Sequence, residues 1–133
     1  MTVDDLARAQ VLVVDDAATV RLYHGQILTG AGFVVSEAVN GLEAVEAALG
    51  TQFDLFVIDV NMPVMDGYAC IEALRGPEVD STAPIIMIST EDRIEDADRA
   101  YAAGANLYMV KPVAHDRLVR TATLLTAAPD AGK

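Results

Sequence analysis

Apolar and polar positions along the chain follow two periods. "VLVV" (11–14), "FVVSEA" (33–38), "DLFVID" (54–59), "IIMIS" (85–89) and "NLYMV" (106–110) are short, β-branched apolar runs, and they predict strands. Leu55, Phe56, Val57 and Ile58 are apolar without interruption, as in a strand of a parallel sheet covered on both faces. The segments between change to helical spacing. In "TVRLYHGQILTGAG" the apolar residues Val20, Tyr23, Ile27 and Leu28 recur at helical intervals, and Gly30 or Gly32 closes the helix. Further helices are predicted over 41–49, ended by Gly50, over 66–75 with Asp66 as N-cap, over 91–104 stopped by Gly104, and over 115–128. "GPEVDSTAP" (76–84) reads as a polar, proline-bounded loop. Five βα units in succession imply parallel strands joined by right-handed crossovers, hence a three-layer α/β sandwich. The expected organisation is an N-terminal extension (1–10), one domain (11–127) and a C-terminal tail (128–133).

Composition narrows the class of protein. A chain of 133 residues, 53% hydrophobic, suits one core, and its longest apolar runs fall far short of the roughly 18 residues that suggest a membrane span. "MTVDDLARAQ" lacks the apolar segment of a secretion signal, so a soluble cytoplasmic protein is expected. Cys70 is the only cysteine; no internal disulfide can form, and a buried spectator thiol is expected. The net charge of −11 is uneven: ten acids stand against two bases in residues 1–66, and ten against seven in 67–133. This balance argues against nucleic acid or an anionic membrane as partner and favours a cation or a basic protein surface. A monomer is expected. Solubility explains most of the acids but not where they stand.

The positions matter because they coincide with strand ends. Asp15 and Asp16 end the first strand, Asp59 the third, Ser89 the fourth, and Lys111 follows the fifth. In open α/β sheets ligands gather beyond these carboxyl ends. Crowded carboxylates raise one another's pKa unless a cation neutralises them, and Mg²⁺ prefers such oxygen ligands. Asp16 and Asp59 are the expected carboxylate ligands, Asn61 offers a backbone carbonyl, and Asp15 a hydrogen bond to a bound water. There is no EF-hand loop for calcium, and His24 and His115 have no zinc spacing. Carboxylate, metal, hydroxyl and ammonium together suit phosphoryl transfer, with Asp59 as nucleophile and Lys111 and Ser89 beside it. Each group alone has a plainer explanation. Asp15, Asp16 or Asp59 can be a helix cap, Ser89 a turn residue, and Lys111 a solvated surface group. The coincidence of four such groups on one rim carries the chemical reading.

"VLVVDDAATVR", "VIDVNMPVMDG", "IIMISTE" and "GANLYMVKP" resemble, in order and spacing, the motifs of the receiver domain of two-component response regulators, particularly the single-domain chemotaxis type. The similarity runs from about Val11 to Leu125. The resemblance implies a flavodoxin-like fold of strand order 2-1-3-4-5, in which Asp59 accepts a phosphoryl group from a sensor histidine kinase or phosphotransfer protein. It also implies that Asp15, Asp16 and the Asn61 carbonyl serve Mg²⁺, that Ser89 and Lys111 contact the phosphoryl oxygens, and that Tyr108 is the aromatic switch. The family pattern further implies a cis Lys111–Pro112 bond, and Asn61 and Glu91 as modulators of dephosphorylation. Ser89 stands where threonine is commoner, keeping the hydroxyl and losing a methyl.

Phosphorylation adds roughly −1.5 to −2 of charge and three strong acceptors. Ser89 drawn inward would pull loop 89–92 and make room for the Tyr108 ring. The surface expected to change comprises helix 91–104, the Tyr108 strand and helix 115–128, with Arg93, Arg99, Arg117 and Arg120, and an output protein of unknown identity would read it. Such a chain is a signalling phosphoacceptor, catalysing only its own phosphoryl transfer and dephosphorylation. Two alternatives stay open: a receiver-like adaptor acting without phosphorylation, and a Mg²⁺-dependent phosphohydrolase of the haloacid-dehalogenase type. The latter would need D-x-D on its first strand, where this chain has D-D. Nucleotide binding fails because "DDAAT" lacks the glycines that cradle phosphate.

Overall fold

The computed structural model describes residues 8–127. The expected tail (128–133) and residues 1–7 of the expected extension lie outside the described residues. The elements alternate as β1 (Gln10–Val14), α1 (Ala18–Gly30), β2 (Val34–Ala38), α2 (Gly41–Gly50), β3 (Leu55–Asp59), α3 (Gly67–Arg75), β4 (Ile85–Ser89), α4 (Ile94–Ala103), β5 (Leu107–Val110) and α5 (His115–Thr126). All neighbouring strands are parallel, in the order β2-β1-β3-β4-β5. The expected flavodoxin-like α/β sandwich is therefore the fold of the chain.

Successive strand residues point to opposite faces, and each face has its own core. Val11, Val13, Leu55, Val57, Ile86, Ile88 and Met109 pack with Ile27 and Leu28 of α1 and with Leu118 and Ala122 of α5. On the other face Leu12, Val14, Phe56, Ile58, Ile85 and Met87 pack with Ala44 of α2, Cys70, Ile71 and Leu74 of α3, and Ala100 of α4. Every residue of β3 and β4 is buried, as their continuous apolar runs require. Cys70 is buried, donates to the Gly41 carbonyl and has its thiol pKa pushed up to about 12, chiefly by burial.

Three elements depart from the sequence pattern. The inward face of α1 runs through His24, Gly25, Ile27 and Leu28, while Leu22 and Tyr23 are exposed. Tyr23 instead reaches the Val113 carbonyl with its hydroxyl, a bond periodicity does not encode. Helix α4 begins at Ile94 rather than at 91, because both backbone groups of Glu91 are engaged elsewhere: its N–H donates to Ser89 Oγ, and its carbonyl accepts from the Tyr108 hydroxyl. Asn106 is not in β5; its side-chain oxygen accepts from the Ile85 amide and from Arg75, which ties the approach to the strand instead. Gly104 ends α4 at φ 121°, a conformation that favours glycine.

Candidate functional site

The parallel register decides which strand ends meet. Val14 pairs with Ile58 and Asp59 with Ile88, so Asp15, Asp59 and Ser89 emerge side by side from β1, β3 and β4. All three are buried. Lys111 crosses the rim from beyond β5: its Nζ lies 2.7 Å from Asp59 Oδ1 and 3.1 Å from Asp15 Oδ2. The other Asp15 oxygen accepts from the Ala17 amide at 2.9 Å, which fixes the carboxylate at both ends. Asp16 is exposed, and oxygens of Asp15, Asp16 and Asp59 all lie within 4.8 Å of one another.

The plainer explanations for the acids and for Lys111 do not describe the local geometry. Helix α1 has Ala17 at its N-cap position with no side-chain capping bond, so neither Asp15 nor Asp16 caps it. The N-cap of α3 is Asp66, as expected, and its Oδ1 accepts from the Ala69 amide. That frees Asp59 from capping. Lys111 is ion-paired rather than solvated. Ser89 does serve a turn, since its oxygen receives the Glu91 amide at 3.0 Å, and it is wholly buried beside the carboxylates.

Electrostatics follow from burial. Burial pushes the Asp59 carboxyl above its ordinary value; the bond from Lys111 pulls it down, and the charges of Asp15 and Asp16 push it up again. For Lys111 burial works downward, but its bonds to Asp59 and Asp15 outweigh it and hold the ammonium above its usual range. One ammonium facing three carboxylates leaves the rim negative, and a divalent cation fits that surplus. Asn61, in the loop after β3, is exposed. Tyr108 is half-buried against the core, with its hydroxyl 2.7 Å from the Glu91 carbonyl. The Lys111–Pro112 bond is cis.

Two residues at the site were not singled out from the sequence. Arg21 donates to the Asp15 carbonyl at 2.8 Å and pairs with Glu37 at 2.9 Å, bracing β1 where the acids emerge. His24 is buried in α1, and burial, first, with Lys111 lowers its pKa while Asp15 raises it. An arginine and a histidine in an amphipathic helix give no sequence signal of this kind. Only the packing of α1 against β1 brings them to the rim.

Residues 11–123 match the model of the response regulator receiver domain. The chain belongs to the response regulator receiver family. Receiver domains of this family are signalling domains of two-component systems. The chain is similar to the chemotaxis protein CheY of Bacillus subtilis, with 39% identity over 83% of this chain and 91% of that protein. It is equally similar, at 39% identity over 83% of its length, to the transcriptional regulatory protein PrrA of Mycobacterium leprae, but spans only 46% of that protein. Among solved structures it is similar to the receiver domain of the sensor histidine kinase PA1611 of Pseudomonas aeruginosa, which holds a magnesium ion coordinated in its active-site cleft. The TM-score is 0.83 and the identity 26%, over 91% of this chain and 99% of that one. Among the described residues no helix is long and apolar enough to cross a membrane.

Proposed function

We propose that this receiver is a cytoplasmic phosphoacceptor switch: Asp59 takes a phosphoryl group from a phosphohistidine on a sensor kinase or phosphotransfer protein, and the face formed by α4, β5 and α5 transmits the change to an output protein. The observation that carries the reading is the double contact of Lys111 with Asp59 and Asp15. It brings a nucleophilic carboxylate and a cation for incoming phosphoryl oxygens to one buried point. In the step, an Asp59 oxygen attacks phosphorus, the phosphorus–nitrogen bond to the donor imidazole breaks, and its electron pair stays on that nitrogen. Burial serves this by stripping water from the carboxylate before attack. Lys111 can follow the negative charge from the carboxylate to the phosphoryl oxygens, and the Ser89 hydroxyl, one residue past the partner of Asp59 in the sheet, can donate to one of them.

The residues that would hold Mg²⁺ are Asp15, Asp16, Asp59 and the Asn61 carbonyl. The ion would supply charge neutralisation for the phosphoryl oxygens. Support comes from the crowded oxygens of three carboxylates and from the magnesium-bound receiver of PA1611. Hydrolysis would return the carboxylate when water attacks the same phosphorus and the bond to Asp59 breaks. Asn61 and Glu91 flank the route, and a short-lived phosphoryl state is the expected behaviour.

The test is acetyl phosphate with Mg²⁺, read by intact mass on wild type and Asp59→Asn. An adduct on the wild type alone supports the proposal. No adduct on either protein, with Mg²⁺ bound, would overturn it in favour of an adaptor that works without phosphorylation.

A further inference from the structure

We infer that Tyr68 is a second tie between the Asp59 loop and α4, holding the start of that helix alongside Tyr108 and so setting how the α4 face is presented. Its role in signalling rests on the phosphoacceptor reading of Asp59; the tie itself does not.

Tyr68 is the second residue of α3 and is buried, only 6% exposed. Immediately before it, the Gly67 amide donates to the Val60 carbonyl at 2.8 Å, so the tyrosine is anchored to the backbone that leaves Asp59. Across the face of the sheet its hydroxyl donates to the Asp96 carbonyl in the first turn of α4, at 3.3 Å. The Arg99 guanidinium lies over the ring, 4.0 Å from its centroid. Asp96 and Arg99 are one turn apart and share a face of the helix, so a single ring engages both.

The start of α4 also carries an ion pair between Arg93 and Asp96 at 3.3 Å, which lies within the helix's own first turn and ties it to no other element. Arg93 occupies its N-cap position without a side-chain capping bond. The far end is held separately: Arg75 donates to the Gly104 carbonyl from two nitrogens, at 3.2 and 2.9 Å. At the near end the two phenols act together, Tyr108 on the Glu91 carbonyl and Tyr68 on the Asp96 carbonyl, one reaching from β5 and the other from α3. A leucine at 68 would fill the core but could neither donate to Asp96 nor sit under Arg99. Tyr68 is thus a positioning residue. A shift of the Asp59 loop reaches α4 through α3 as well as through Ser89 and Tyr108.

The experiment is amide hydrogen exchange by mass spectrometry on wild type, Tyr68→Phe and Tyr68→Leu, before and after acetyl phosphate with Mg²⁺. Phenylalanine keeps the ring and loses the hydroxyl. In the untreated protein it is expected to speed exchange in segment 91–101 about threefold to fivefold, the effect of one neutral hydrogen bond, with leucine speeding it further. Segment 41–50 is expected to keep its wild-type rate. After phosphorylation the change in protection of 91–101 is expected to be smaller in Tyr68→Phe than in wild type. Unchanged exchange in both variants, or a rise shared by every helix, would overturn the tie. An equal phosphorylation response in Tyr68→Phe and wild type would overturn its coupling role. If wild type takes up no phosphoryl group, the reading of Asp59 falls, while the untreated comparison still decides whether Tyr68 holds α4.

Discussion

Lys111 Nζ lies 2.7 Å from Asp59 Oδ1, and the Asp59 carboxyl is nonetheless raised above its ordinary value because burial outweighs the bond. The pairing is therefore a site held against its own electrostatics rather than a device for stability.

The pH dependence follows in sign. A carboxyl with a raised native pKa binds its proton more tightly folded than unfolded. Its contribution to stability is full below the ordinary value of 3.8 and is lost as pH rises through the raised one. In EDTA at about pH 7, Asp59→Asn should melt roughly 3–5 °C above wild type, what about 1 kcal/mol gives in a chain of this size. Melting curves at successively lower pH should show the gap closing, and a gap that widens would refute the argument. Millimolar Mg²⁺ should raise the wild-type melting temperature more than that of the variant.

Gly67 is fixed by contact. A Cβ there would overlap the Asp59 carbonyl oxygen and lie 2.7 Å from Met87 Cε and 2.9 Å from Val60 Cα. Two of these three neighbours are backbone and cannot yield without moving the Asp59 loop. Gly67→Ala should cost about 2–3 kcal/mol by urea unfolding. Gly30→Ala, where nothing lies within 4 Å, should cost nothing and gain up to about 1 kcal/mol.

Arg75 holds three segments together through neutral oxygens alone. Its guanidinium donates to the carbonyls of Ser81, Ala83 and Gly104 and to the Asn106 side chain. Burial pulls its pKa below the ordinary value, although it stays charged. Arg75→Met should take this donor from the Ser81, Ala83 and Gly104 carbonyls and lower stability by about 2–3 kcal/mol, and Arg75→Lys should recover less than half of the loss because an ammonium cannot reproduce the fork. Equal stability of the lysine variant and wild type would refute the fork as the cause.

Val64 adopts φ 71° in the loop after Asp59, where the Met65 amide donates to the Pro63 carbonyl at 2.7 Å. A β-branched side chain is strained there, and 78% of this one is exposed. Val64→Asn should therefore stabilise the protein by about 0.5–1 kcal/mol in a denaturant titration; a loss of stability would show that the valine makes contacts worth more than the strain.

The apolar runs and the glycine and Asp66 boundaries determined the alternation of strands and helices, because each reflects a local preference of the backbone. A strand buried on both faces could be read at 55–58 for the same reason. Asp15, Asp16, Asp59, Ser89 and Lys111 were legible as a group because a parallel α/β chain sends every strand end to one rim. Tertiary structure alone decided how they use that rim: sheet register sets Asp59 beside Ser89, and the Lys111 ammonium reaches both Asp59 and Asp15. It also decided that His24 rather than Tyr23 faces inward, that α4 starts at Ile94, and that Tyr68 bridges to Asp96 and Arg99. These outcomes depend on contacts between segments far apart in the chain. No local periodicity encodes them, since a buried hydroxyl or imidazole is placed by the neighbour it meets.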